Sequence, residues 1–230
     1  MAIYTKLSEN NLKEFFLKYN LGKLLNYKGI QEGIENTNYF IQTDKGKFIL
    51  TVYEKRVEEK DLPFFMGLMR NLFDANFPSP EPIINKNGNY VSEISGKKAA
   101  LVSFVEGFAK KKLNPNDCHK VGIQTAKLHL ITKNLTAKRE NKLSVNSWRK
   151  IYGKVQKDCS KIHLDLTKTI EKNLDEIENN WPKNIPSGII HADLFPDNIF
   201  FKDDKLTGII DFYFSCYDFY VFEIAICLNA

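Results

Sequence analysis

Behind Ser8, a residue able to cap a helix, the apolar positions Leu12, Phe15, Phe16 and Tyr19 recur at helical spacing, which predicts a helix running to the Leu21-Gly22 step. From Tyr27 the pattern shortens. Runs broken by Gly29 and Gly33, then Tyr39-Phe40-Ile41, a Thr43-Asp44-Lys45-Gly46 turn and Phe48 to Tyr53 predict antiparallel strands joined by a tight hairpin. The helical period returns over Leu62 to Asn76, where Phe65, Met66, Leu68, Met69, Leu72 and Phe73 form a wide apolar stripe that stops before Pro78, Pro80 and Pro82. Strand-like runs follow around Tyr90-Val91 and from Ala99 to Val105.

Past Gly107 the texture is mainly helical. Asn114-Pro115 is a cap followed by a first-turn proline, Val121, Thr125 and Leu128 share one face, and a second long helix is predicted over Leu166 to Asn180. Short strands return at Ser187 to Ile190, Asn198 to Phe201 and Leu206 to Phe212. The prediction is an α+β protein of two lobes. Residues 1–105 form a β-rich N-terminal lobe, residues 106–230 a mainly helical C-terminal one.

Composition narrows the class. Hydrophobic residues make up 43% and aromatics 13%, which excludes a disordered chain. The net charge of +5 carries one dense basic run, Lys110 to Lys112, without interleaved aromatics, so no nucleic-acid partner is expected. Cys118, Cys159, Cys216 and Cys227 have neither disulfide-framework nor metal-ligand spacing and read as reduced thiols. With no signal-like N-terminus and no long apolar run, a cytoplasmic protein with no membrane partner is expected; oligomeric state is not legible.

The chemistry lies near the end of the chain. His191-Ala192-Asp193 opens out of an apolar strand, with Asn198 five residues beyond Asp193. Asp211 then closes the apolar run Gly208-Ile209-Ile210, where hydrocarbon would be the ordinary choice. Phosphoryl transfer needs a carboxylate for the attacking hydroxyl and oxygen ligands for Mg2+, and one Asp, one Asn and a further Asp are the minimum set. Spacing alone therefore points to a kinase of a hydroxyl group. Asp197 reads as a turn residue.

These motifs resemble the aminoglycoside phosphotransferase and choline kinase superfamily, which shares its fold with protein kinases. The likeness implies a two-lobed protein-kinase-like fold, with Asp193 as catalytic base, Asn198 and Asp211 as Mg2+ ligands, and His191 as a structural brace. Glu32 to Tyr39, Phe48 to Arg56, Asp211 to Phe214 and Ile226 to Ala230 further resemble the homoserine kinases of that superfamily along essentially the whole chain. The reaction implied is transfer of the γ-phosphoryl group of ATP to L-homoserine, on the route to threonine. Alternatives are another small-molecule kinase of the superfamily, acting on an amino alcohol, sugar or aminoglycoside, and a non-catalytic nucleotide-binding protein.

For the nucleotide, Gly33, Asn36 and Asn38 lie in a loop that could turn N–H groups toward phosphate. By register with related kinases the third-strand cation is replaced by Thr51, leaving Lys55 and Arg56 as candidates, with Glu58, Glu59 and Asp61 as partners. The likeness makes Ser103 to Gly107, with Glu106, the adenine hinge. For the amino-acid carboxylate, Arg139 and Arg149 are the candidate cations and Tyr213 a candidate pocket wall. Family members continue beyond the apolar segment at Phe222 to Ala230, so the likeness also implies a C-terminal lobe that is incomplete at its end. Glu223 stands where relatives often carry Asp.

Overall fold

Ser8 accepts from the backbone N–H of Asn11, whose side chain accepts in return from Ser8, and this reciprocal box starts α1, Glu9–Phe16. The helix closes earlier than its apolar period suggests. Lys18 and Tyr19 donate to carbonyls three residues back, at 3.1 and 2.9 Å, tightening the last turn while Tyr19 still packs inward. The computed structural model describes residues 3–33, 35–54 and 56–230.

Six strands follow: β1 Leu24–Ile30, β2 Thr37–Thr43, β3 Gly46–Val52, β4 Pro82–Ile83, β5 Val91–Ile94 and β6 Lys97–Ser103. They form one antiparallel sheet in the order β1-β2-β3-β6-β4, with β5 also paired to β6. β1 begins three residues before the expected Tyr27, because a bulge between Leu24 and Asn26 extends its pairing with β2. β4 lies within the proline-rich stretch read as punctuation; it is short, and a proline is tolerated at such an edge position.

The period-2 alternation of β3 sorts the two faces of the sheet. Phe48, Leu50 and Val52 face a cluster with Leu12, Phe15, Phe16 and Tyr19 of α1. The opposite face meets α2, Leu62–Asp74, whose Phe65, Met66, Met69 and Leu72 pack with Ala100 and Val102. That second cluster runs on without a break into Val121, Leu128, Ile189, Ile199, Phe201, Ile209 and Phe212. Thr51 and its register partner Asn38 therefore lie on the face turned toward the helical part, and the Thr51 hydroxyl donates to Asn38 Oδ1 at 2.8 Å.

The second part holds α3 Pro115–Thr132, α4 Val145–Ile162, α5 Leu166–Asn180 and α6 Tyr220–Asn229. Asn114 and Asp117 cap α3 reciprocally, with proline in the first turn. Between the helices run β7 Phe108–Ala109, β8 Ser187–Ile190, β9 Ile199–Lys202, β10 Lys205–Ile209 and β11 Cys216–Phe219; β9 pairs with β10 and β7, and β8 with β11. Among the described residues no helix is long and apolar enough to cross a membrane.

Gly107 is where the chain turns from the sheet into β7, with φ +129, and a Cβ there would meet Thr207 Oγ1 at 2.6 Å and the Phe201 carbonyl oxygen at 2.9 Å. Backbone cannot give way as a flexible side chain can. Gly107→Ala is expected to cost about 1–3 kcal/mol from steric and backbone strain together. Denaturant melts would read this directly, and an unchanged midpoint would refute the account.

Candidate active site

The reacting loop leaves β8 at His191, which is fully buried. Its Nε2 lies 2.9 Å from the Ile210 carbonyl, which can only accept, so the ring donates there; its Nδ1 accepts from the Asp193 backbone N–H at 3.2 Å. Both contacts require the neutral ring in one tautomer, and burial accordingly holds the His191 pKa below its usual value. His191 thus ties the Asp193 backbone to the segment that delivers Asp211.

Glu223 on α6 is fully buried and accepts from the backbone N–H groups of His191 and Ala192. Ala192 has a left-handed backbone at φ 65, and the carboxylate beneath it fixes that turn. Sequence reasoning gave Glu223 no role. The available signal was a carboxylate inside an otherwise apolar helix, since such a group is buried only where donors await it.

Asn198 ends a one-turn 3₁₀ helix, Pro196–Asn198, and its side-chain Nδ2 donates both to the Asp193 carbonyl and to Asp193 Oδ2, each at 2.8 Å. With both amide hydrogens spent on Asp193, the oxygen Oδ1 is left for another partner. The Ile210 N–H donates to the Asn198 carbonyl at 3.0 Å, which locks the Asp211 strand against the Asn198 loop. Asp211 itself is left-handed, φ 64 and ψ 61, turning its carboxylate out of the strand. Asp193, Asn198 and Asp211 are thereby brought together.

Their electrostatics fit that crowding. Partial burial raises the Asp193 pKa to about 6; Asn198 opposes the shift, while Asp197, Glu35 and Glu223 add to it. Asp211 is exposed although dense protein surrounds it, and desolvation followed by the charges of Asp193 and Glu35 raises it to about 6. Converging carboxylates that repel each other are a setting a cation relieves. Among the described residues no three His, Cys, Asp or Glu side chains stand close enough to chelate a metal by themselves. Asn198 Oδ1 with the Asp211 carboxylate suits a hard cation that takes its remaining ligands from phosphates and water, as Mg2+ does.

The other expected residues divide. Gly33 is exposed with φ +92 and open space where a Cβ would lie, as a pliable loop requires. Asn36 is buried and accepts the Glu54 N–H at 3.3 Å, so its amide holds the end of β3. Asn38 is engaged by Thr51. Lys55 lies outside the described residues. Glu106 is exposed and paired with Lys202 and Lys47, the latter at 3.9 Å, so any hinge role falls to backbone groups around it.

A cleft of about 400 Å³ opens beside Ala192, lined by Glu35, Arg56, Arg139 and Tyr213 among others. The Tyr213 hydroxyl lies 3.1 Å from that of Tyr53, and its ring packs edge-on against Tyr53 and Phe65. Arg139 lines the cleft but is heavily committed: Nε donates to Asp61 at 2.8 Å and Nη1 to the carbonyls of Phe214 and Ser215 at 3.3 and 3.1 Å. Arg149 is not brought there. It stands on α4 with its guanidinium paired to Asp175 and Glu178 of α5, because those helices pack side by side and α5 supplies the acids. Arg56, weighed for phosphate, binds Glu35 at 2.6 Å instead.

The family described as "Phosphotransferase enzyme family" matches residues 26–230. A homoserine kinase of Beijerinckia indica subsp. indica is 46% identical over 230 residues, which cover 100% of this chain and 72% of that protein. One of Nitrobacter hamburgensis is 45% identical, covering 100% and 71%. Among solved structures, amicoumacin kinase hAmiN in complex with AMP-PNP, Ca2+ and Ami superposes with a TM-score of 0.71 at 17% identity, covering 96% of this chain and 68% of that one. A spectinomycin phosphotransferase in complex with ADP and spectinomycin gives 0.71 at 13% identity, covering 96% and 74%.

Proposed function

The chain belongs to the phosphotransferase enzyme family and, within it, to the homoserine kinases, and on that premise we propose that Asp193, Asn198 and Asp211 are the centre at which it moves the γ-phosphoryl group of ATP to the hydroxyl of L-homoserine, giving O-phospho-L-homoserine. The observation that carries the assignment is the Asn198 amide, which holds Asp193 at 2.8 Å while its own backbone is bonded to the strand of Asp211. One residue sets the spacing of the other two.

Asp193 Oδ2 is occupied by Asn198, so its other carboxylate oxygen takes the proton of the acceptor hydroxyl as the hydroxyl oxygen bonds to the γ-phosphorus and the bond from phosphorus to the β-phosphate oxygen breaks. A pKa near 6 leaves Asp193 ionised at neutral pH yet more basic than an ordinary aspartate. Mg2+, held by Asn198 Oδ1 and Asp211, would supply positive charge to the phosphates. Gly33 gives the loop before β2 freedom to approach the nucleotide, and the nucleotide lobe ends near residue 105. The likeness further implies a cytoplasmic enzyme.

ADP release with Mg-ATP and a panel of L-homoserine, choline, methylthioribose and an aminoglycoside tests the assignment. L-homoserine is expected to be turned over with the highest kcat/KM, and chelation with EDTA to stop turnover until Mg2+ is restored. Equal or faster turnover of another acceptor would overturn the homoserine reading.

A further inference from the structure

L-homoserine carries its reactive hydroxyl at one end of a four-carbon chain and an ammonium and a carboxylate at the other, so a selective site must offer charges of both signs a few ångströms from the base. The ionisable groups around the 400 Å³ cleft offer both signs, with Glu35, Glu58 and Asp61 balanced by Arg56, Arg139 and Lys142, and the cleft opens at Ala192, next to Asp193 in the chain. A neutral but strongly dipolar lining suits a zwitterion better than an anion or a cation alone.

The three cations are not equally available. Arg139 spends its donors on Asp61 and two carbonyls and its side chain is 15% exposed. Lys142 is held between Glu58 and Asp61. Among the described residues Arg56 commits a single donor, Nη1, to one oxygen of Glu35, and its side chain is 65% exposed. A guanidinium with donors to spare can take a carboxylate in the forked manner without giving up its first partner.

Glu35 lies at the inner side of this pair, 20% exposed, and its charge reaches both Asp193 and Asp211. The cleft it lines with Arg56 also reaches Ala192, the residue that precedes the base in the chain. Resting on the reading of the site as a homoserine kinase, we propose that the Glu35–Arg56 ion pair is the receptor for the amino-acid end of the acceptor, Glu35 taking the ammonium and Arg56 the carboxylate while the hydroxyl meets Asp193. The pair joins the loop before β2 to the segment after β3. Glu35 and Arg56 are specificity-determining residues in this account.

The test pairs variants with acceptors that lack one charge: 4-hydroxybutyrate, without the ammonium, and 3-aminopropan-1-ol, without the carboxylate. The unaltered chain is expected to prefer L-homoserine over each by roughly 10- to 100-fold in kcat/KM, the effect of one charged hydrogen-bond partner. Glu35→Gln is expected to shrink the preference over 4-hydroxybutyrate to within about threefold while keeping most of that over 3-aminopropan-1-ol, and Arg56→Gln to do the reverse. The KM for ATP should stay within about twofold in both. Calorimetric titration of L-homoserine in the presence of ADP supplies a readout without turnover, and both variants should weaken it by the same factors.

If both variants keep both preferences, or if the loss falls on the KM for ATP, the receptor assignment is overturned while the kinase reading stands. If the unaltered chain favours an uncharged alcohol over L-homoserine, the functional reading falls and the receptor with it. Arg56 is solvent-facing and Glu35 is a partly exposed loop residue outside both apolar clusters, so neither substitution should unfold the chain; matching melting midpoints exclude a trivial loss.

Discussion

Asp193→Asn is expected to lower kcat for L-homoserine by roughly 10²–10⁴-fold, the range associated with a positioned general base, while the KM for ATP stays within about twofold. The substitution is conservative where it matters for folding. The Asn198 amide still finds an oxygen on the new side chain, and the Asp193 backbone keeps its bonds to His191 and Asn198. What is lost is the oxygen that takes the proton. A second effect runs the other way: removing one of several mutually repelling carboxylates lowers the cost of crowding at Asp211. The variant should therefore melt no lower than the parent. A drop in activity accompanied by an equal drop in melting temperature would mean that the residue holds the loop rather than acts, and turnover within about tenfold of the parent would remove Asp193 from the chemistry.

The elements legible in the sequence were those whose local signals agree with their packing. α1, α2 and α3 each combine a start signal or apolar stripe with one buried face, and the β2–β3 hairpin joins alternating residues across a tight turn. α4 escaped description although Val145, Trp148, Tyr152, Val155, Cys159 and Ile162 recur at helical spacing, so its signal was present in the sequence and went unread. Asp193, Asn198 and Asp211 could be found because an acid ending an apolar strand is costly unless it has a use. The contacts between distant segments could not. That Arg56 meets Glu35, that Arg149 is taken by α5, and that Thr51 faces Asn38 are consequences of sheet register and helix packing, which residue spacing does not encode. Arg139 and Arg149 are equivalent as arginines in the sequence; only the fold puts one beside the cleft and the other on the surface.

The same logic makes Glu223→Ala strongly destabilising. Two backbone N–H groups, those of His191 and Ala192, point at this carboxylate in a fully buried setting, and Ala192 holds a left-handed conformation that nothing else fixes as directly. Losing the acceptor leaves both donors unpaired at about 1–3 kcal/mol each, offset in part where water can enter, for a net loss of about 2–4 kcal/mol. For a chain of this size that corresponds to a melting temperature lower by about 5–15 °C. Glu223→Gln is expected to fall almost as far, because the amide keeps one acceptor oxygen but sets its NH2 against the other N–H. Glu223→Asp is expected to lie between, since a carboxylate one methylene shorter can still serve one donor. The kinetic consequence follows from the stability one: with Ala192 released, Asp193 samples positions away from the Asn198 amide, and kcat at temperatures well below the melting point should fall at least tenfold for Glu223→Ala. Melting scans and kcat measured across the three variants decide the matter, and an alanine variant that melts and turns over like the parent would show that the loop is held by His191 and Asn198 alone.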